Sequence, residues 1–292
     1  MMDTSRQLHA LAASGWKRGL YEDVQRTFRA PVVNWIFRTA MANEPTFTRF
    51  AWGQVKPVFE TRAFGDLTVQ YRDAVLSALE ADGPLPTYRR PETPLSPAEY
   101  AELRGQLATF DVVAPRLAVL FEVLDRALHG RPVGGEPATD RTATAPFPDH
   151  LDRDRGRAPS MVDDPPESLA DTVDRIRTFH GFGDSLPSIY RCLAQWPAFT
   201  ERLWADLEPR LEAPAFESAC ERTADLVDDF VDATPYRPQL SPAVLAEAGF
   251  DDGTITDAQE LFAVFNSGPV ETVLPALPVF AATVGSAGDR AG

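Results

Sequence analysis

A chain of 292 residues, 44% of them apolar, can bury a substantial core, and no apolar stretch approaches the ~20 residues that a bilayer span needs. The 28 basic residues against 43 acidic ones leave a formal charge of -15, which repels phosphate backbones and argues against nucleic acid or a membrane surface as partner. Cys192 and Cys220 are the only cysteines, too few for a disulfide framework or a thiolate zinc site.

The opening residues, MMDTSRQLHALAASGWKRG, lack a continuous apolar run after their charges, so no secretory signal is read and a cytoplasmic chain is expected. Lys17 and Lys56 are the only lysines, leaving 26 arginines. An acidic surface almost without lysine suits a salt-rich cytoplasm, where screening removes carboxylate repulsion. A high-GC genome with an acidic bias explains the arginine preference as well, and both readings concern habitat, not chemistry.

Residues 30–38, Ala-Pro-Val-Val-Asn-Trp-Ile-Phe-Arg, read as a loop running into a helix. Residues 45–75 then pair without a gap with residues 197–227 at an offset of 152, giving ten identities in thirty-one positions. Ordinary residue usage would give about two. The matches include Pro45 with Pro197, Trp52 with Trp204 and Phe64 with Phe216. Arg26-Thr27-Phe28 echoes Arg177-Thr178-Phe179, Ile36-Phe37-Arg38 echoes Ile189-Tyr190-Arg191, and Leu95-Ser96-Pro97-Ala98 echoes Leu240-Ser241-Pro242-Ala243. Duplication is the expected cause.

Further along, Ser96-Pro97-Ala98-Glu99 supplies a capping box. Val113, Leu117, Leu120, Phe121, Leu124 and Leu128 form one helical stripe, with a kink expected at Pro115. Residues 130–167 are rich in Gly, Pro and charge and read as an acidic linker. Residues 181–191, Gly-Phe-Gly-Asp-Ser-Leu-Pro-Ser-Ile-Tyr-Arg, form a second loop-to-helix passage, and Phe216, Cys220, Thr223, Val227 and Phe230 a second stripe. The expected fold is all-α: helical repeat 1 over 1–129, the linker, helical repeat 2 over 168–283, and a flexible tail over 284–292.

No phosphate loop, dinucleotide fingerprint, H-E-x-x-H or G-x-S-x-G occurs. His9, His129, His150 and His180 are scattered, so solvated or packed histidines are expected and no metal site. The two loop-to-helix passages are the least alike parts of the repeats, which is where a site can arise. Helix N-termini offer unpaired N–H groups to a carboxylate or halide. Read conservatively, Trp35, Phe37 and Tyr190 are core aromatics, Asn34 and Ser188 caps, and Asp184 a turn residue.

The run from Tyr21 to Arg38, then Trp52-Gly-Gln-Val-Lys-Pro57 and its second copy ending Trp204-Ala-Asp-Leu-Glu-Pro209, resembles the group I 2-haloacid dehalogenase (halocarboxylic acid dehalogenase, DehI-type) family, as a haloarchaeal member. The resemblance implies an all-α protein with its pocket between fused repeats and no metal or organic cofactor. It also implies hydrolytic removal of halide from short 2-haloalkanoic acids, with an aspartate activating water for direct displacement at the α-carbon. It places Asn34, Trp35 and Phe37 in the pocket, joined by Ser185, Ser188, Ile189 and Tyr190. The family's aspartate follows a serine. Here Ile189 follows Ser188, and no Asn occurs between residues 150 and 265 to supply the companion asparagine. Asp184 is the nearest carboxylate and the candidate base. The implied partner is a small-molecule carboxylate, and a homodimer is compatible with the family. The alternatives are a binding protein for a small carboxylate or apolar ligand without dehalogenation, and a helical interaction scaffold.

Overall fold

Proline starts many of the helices, because its missing N–H costs nothing in a first turn and its fixed φ suits a helix. A computed structural model describes residues 2–135 and 144–291. The α-helices among them are α1 (Gly15–Phe28), α2 (Trp35–Asn43), α3 (Pro45–Val55), α4 (Arg62–Glu80), α5 (Pro97–Leu128), α6 (Ala170–His180), α7 (Ser188–Leu193), α8 (Pro197–Leu211), α9 (Pro214–Ala233), α10 (Pro242–Glu247), α11 (Asp252–Phe265) and α12 (Val270–Thr283). No strand occurs among the described residues beyond an isolated bridge between Thr61 and Pro146. The fold class is all-α, as expected.

The local signals act as read. Glu99 N–H donates to Ser96 Oγ and Ser96 N–H to Glu99 Oε2, closing the capping box at the start of α5. Ser241 Oγ accepts from Val244 N–H at α10. α5 continues past Pro115 for thirteen further residues to Leu128. Residues 136–143 of the expected linker lie outside the described residues. Of the remainder, Phe147 and Leu151 are buried, and Arg29 Nη1 donates to the carbonyls of Pro148, Asp149 and Leu151.

The chain groups into two compact units: Met1–Thr68, Arg116–Arg153 and Val227–Ser267 form one, and Val69–Pro115, Asp154–Leu226 and Gly268–Gly292 the other. This is a different division from the sequence halves, since α4, α5 and α9 each contribute to both units.

In the first unit Phe28, Phe37 and Trp52 meet edge to face, with centroids 5.5 to 5.8 Å apart. Such pairs add about 0.5–1.5 kcal/mol beyond their buried area. Trp52 Nε1 donates to Asp23, which also receives Lys56 Nζ at 2.9 Å. Burial pushes the Asp23 carboxyl up, but the Lys56 and Trp52 hydrogen bonds outweigh it and hold it below the usual range. A buried pair, Arg116 with Asp152 at 3.1 Å, lies beneath the Phe64 and Phe147 rings.

The second unit centres on Trp204, with Phe179 at 5.8 Å and Tyr190 at 5.7 Å. Trp204 Nε1 donates to Glu208, which Arg175 Nε also contacts at 2.9 Å. The indole thus donates to a cation-paired carboxylate in each unit. In the first the carboxylate is on α1; in the second it is on α8 and the cation on α6. Here too a charge is buried: Asp111 is fully enclosed and paired with Arg72 at 2.8 Å and Arg155 at 2.8 Å. Those arginines hold the chain end, Arg72 Nη1 donating to the Asp289 carbonyl and Arg155 Nη2 to that of Ser286. Gly288 N–H donates to Asp111, and a Cβ at Gly288 would fall 2.7 Å from Arg72 Cζ, so the close approach requires glycine.

Candidate functional site

The first loop-to-helix passage begins where α1 ends at Arg29, whose φ of 52° is left-handed. A non-glycine there costs about 1–2 kcal/mol, and the three carbonyl bonds of Arg29 and its stacking on Phe147 at 4.4 Å offset it. Asn34 is the N-cap of α2, and its carbonyl accepts from Phe37 and Arg38 N–H. Its side chain does not cap, and its Oδ1 is buried with no hydrogen-bond partner among the described residues. Trp35 is half-buried, its ring 4.8 Å from Phe265.

Phe37 points into the core, where it helps line an apolar cavity of about 20 Å³ with Ala40, Ala51, Trp52, Leu124 and Phe262. That space is water-sized. The one polar neighbour on its wall, the Thr48 hydroxyl, donates its proton to the Glu44 carbonyl, so the space offers a water few of the partners it needs.

The second passage starts at Gly181, the left-handed C-cap of α6 (φ 74°). Phe182 N–H bonds back to the Arg177 carbonyl at 2.9 Å, closing the helix end. Asp184 and Ser185 are exposed, and the Asp184 carbonyl accepts from Arg177 Nη2 at 2.7 Å. Leu186 packs on the buried group of Leu169, Val173 and Ala194. Pro187 is the extended N-cap of α7, and its carbonyl accepts from Tyr190 and Arg191 N–H. Ser188 is exposed, whereas Ile189 and Tyr190 are buried.

The structure joins Tyr190 to two residues that sequence reasoning left out. Its Oη lies 2.5 Å from His180 Nε2, and His180 Nδ1 lies 2.7 Å from Thr272 Oγ1. Thr272 donates its own proton to the Pro269 carbonyl, so its oxygen accepts from Nδ1–H. Nε2 is then the bare nitrogen and accepts from the Tyr190 hydroxyl. Burial drives the His180 pKa down to about 3 and raises the Tyr190 hydroxyl well above its usual value, so both stay neutral. The signal for His180 was present: Val173, Ile176 and His180 fall at i, i+3 and i+7, on the buried face of α6. Nothing local marks Thr272.

Cys192 donates to Gln106 Oε1 at 3.0 Å, and burial pushes its thiol up to about 12, so it is no nucleophile. Among the described residues no group of three His, Cys, Asp or Glu could hold a metal ion, and no helix is long and apolar enough to cross a membrane.

A family model described as halocarboxylic acid dehydrogenase DehI matches residues 31–165, beginning at the Asn34 passage. An (R)-2-haloacid dehalogenase of Pseudomonas putida is 23% identical over 254 residues, spanning 84% of this chain and 82% of the relative. A second (R)-2-haloacid dehalogenase, from Rhizobium sp. (strain NHG3), is 27% identical over 228 residues, 74% of this chain and 82% of its own. A solved complex of a D-2-haloacid dehalogenase mutant with D-2-CPA superposes with a TM-score of 0.80 over 95% of both chains at 19% identity, which establishes a common fold.

The chain is similar in sequence to 2-haloacid dehalogenases and shares the fold of one of them. A tryptophan-centred group of rings packs beside each of its loop-to-helix passages. Its polar residues at those passages take different roles: Asn34 and Tyr190 turn inward, while Asp184, Ser185 and Ser188 face solvent.

Proposed function

We propose that this chain hydrolyses short 2-haloalkanoic acids, water displacing halide at the α-carbon to leave a 2-hydroxy acid, halide and a proton. The observation that carries the reading is similarity along 84% of the chain to a relative named (R)-2-haloacid dehalogenase. Water is a poor nucleophile, so the reaction needs a carboxylate within hydrogen-bond reach to accept the proton. Asp184 is that base in this reading, carried on the loop that leads into α7. Asn34, Trp35 and Phe37, with Ser185, Ser188, Ile189 and Tyr190, are the substrate-binding residues.

Halide release from each enantiomer of 2-chloropropionate tests it. Wild-type chain is expected to release halide, and Asp184→Asn to lower the rate about 10²-fold or more. An unchanged Asp184→Asn rate moves the base to another residue. The solvent exposure of Asp184 favours the second reading, a binding protein for a small carboxylate: 2-chloropropionate then raises the melting temperature without turnover.

The charge of -15 with two lysines supports a salt-adapted, haloarchaeal-type cytoplasmic protein. Stability that rises between low and molar potassium chloride is the expected sign, and a salt-independent melting curve would remove that reading.

A further inference from the structure

The displacement proposed above gives His180 no role, yet it is buried and hydrogen-bonded at both ring nitrogens. It is the last residue of α6, and Tyr190 is the third of α7. Their bond spans the seven residues 181–187, which contain two glycines and no regular structure. Within that loop the Asp184 carbonyl is tied only back toward α6, through Arg177. Thr272 of α12 orients the imidazole from its far side, and Phe179, Phe182 and Trp204 wall it in at centroid distances of 4.6, 6.3 and 6.4 Å.

The first unit lacks this wiring. Phe37 aligns with Tyr190 and has no hydroxyl. Arg29 follows Phe28 as His180 follows Phe179, but its guanidinium turns to the 148–151 carbonyls. Hydroxyl and imidazole therefore occur together in the unit that carries Asp184 and Ser188, and both are missing from the aligned positions, Phe37 and Arg29, of the other.

We propose that His180 and Tyr190 are a positioning pair, which holds the start of α7, and with it Ser188 and the Asp184 loop, in one register on α6. The kinetic consequence rests on the dehalogenase function; the structural consequence does not. Tyr190→Phe removes only the hydroxyl, and Phe37 shows that a phenylalanine ring suits such packing. His180→Gln keeps an acceptor near the Nε2 position, whereas His180→Leu does not.

Two measurements on the full chain test the pair. In amide hydrogen exchange, Tyr190→Phe and His180→Leu are expected to speed exchange at residues 190–193 by about tenfold, with α8 unchanged and His180→Gln near wild type. In halide release, the same two variants are expected to lose about tenfold in kcat with KM within a factor of about two, because a wandering helix start samples the productive geometry less often. His180→Gln is expected to restore most of kcat. Unchanged exchange in Tyr190→Phe overturns the proposal, and so does a rise in KM at constant kcat, which would make the Tyr190 hydroxyl, and not its ring alone, the substrate contact. If wild-type chain releases no halide, the dehalogenase function fails and the exchange result alone decides the pair.

Discussion

Trp52 and Trp204 sit in nearly the same aromatic surroundings, yet a cavity lies beside one and a histidine beside the other. Phe28 and Phe37 approach Trp52 at 5.8 and 5.5 Å with interplanar angles of 70° and 86°; Phe179 and Tyr190 approach Trp204 at 5.8 and 5.7 Å with 64° and 85°. Beside Trp52 lies an apolar cavity, and beside Trp204 a neutral histidine bonded on both sides. Ring packing is set by shape and tolerates either filling. A buried hydroxyl is less forgiving, because it needs a partner wherever it stands. One phenyl-to-phenol difference thus goes with a histidine and a threonine in the second unit, and its absence leaves the space beside Phe37 apolar.

The largest effect should come from breaking both arrangements alike. Trp52→Ala and Trp204→Ala are each expected to cost about 3–5 kcal/mol in chemical denaturation, since each removes a buried indole and its carboxylate bond. Costs differing by more than about 2 kcal/mol, beyond the usual spread for such truncations, would show that matched ring geometry does not mean matched packing.

Exchanging the hydroxyl comes next. Phe37→Tyr places a phenol where no partner is described and should cost about 1–3 kcal/mol, and Tyr190→Phe, which strands His180 Nε2, should cost a similar amount. A Phe37→Tyr protein as stable as wild type would mean that the first cavity is wet.

The parts of this arrangement legible in the sequence were those written in local patterns. Ser96 and Glu99 announced the start of α5, and the Val113–Leu128 stripe a long helix. The resemblance carried the fold class with it. Which segments share a core was not legible, because α4, α5 and α9 each serve two units and no local pattern encodes a long-range partner. The site was half legible for the same reason. Asp184 and Asn34 were visible as chemistry-bearing residues at a helix start, but Thr272 reaches His180 from 92 positions away. Asn34 has capping chemistry and sits at the N-cap, yet its side chain makes no cap, so position alone did not reveal its role.

A pH titration sharpens the comparison because no histidine stands in the first aromatic group. Unfolded, His180 takes a proton near pH 6.5; folded, burial holds it neutral down to about 3. Below 6.5 the unfolded chain therefore binds a proton that the folded chain refuses. Stability should be fully present above pH 6.5 and fall by up to about 1.4 kcal/mol for each unit below it, toward pH 3. His180→Gln removes that proton, so the difference between the two proteins, measured in urea from pH 7 to 5, isolates the effect from the carboxylates. A constant difference across that range would place water beside the imidazole.

The smallest effect concerns why the first unit has a cavity at all. Its walls include Ala40 and Ala51, which align with Leu193 and Leu203 in the second unit, both buried. Small side chains at two facing positions leave space that two leucines fill elsewhere in the chain. Ala51→Val adds two carbons to a cavity of about 20 Å³. Each methylene buried there is worth about 0.8 kcal/mol, and the β-branched side chain returns about 0.5 kcal/mol in helix propensity. The expected outcome is a gain of about 0.5–1 kcal/mol, read as a higher urea midpoint at unchanged m-value. A loss instead would show that Phe37 and Trp52 cannot yield to the added methyls. The void would then follow from the aromatic geometry itself and not from the small residues around it.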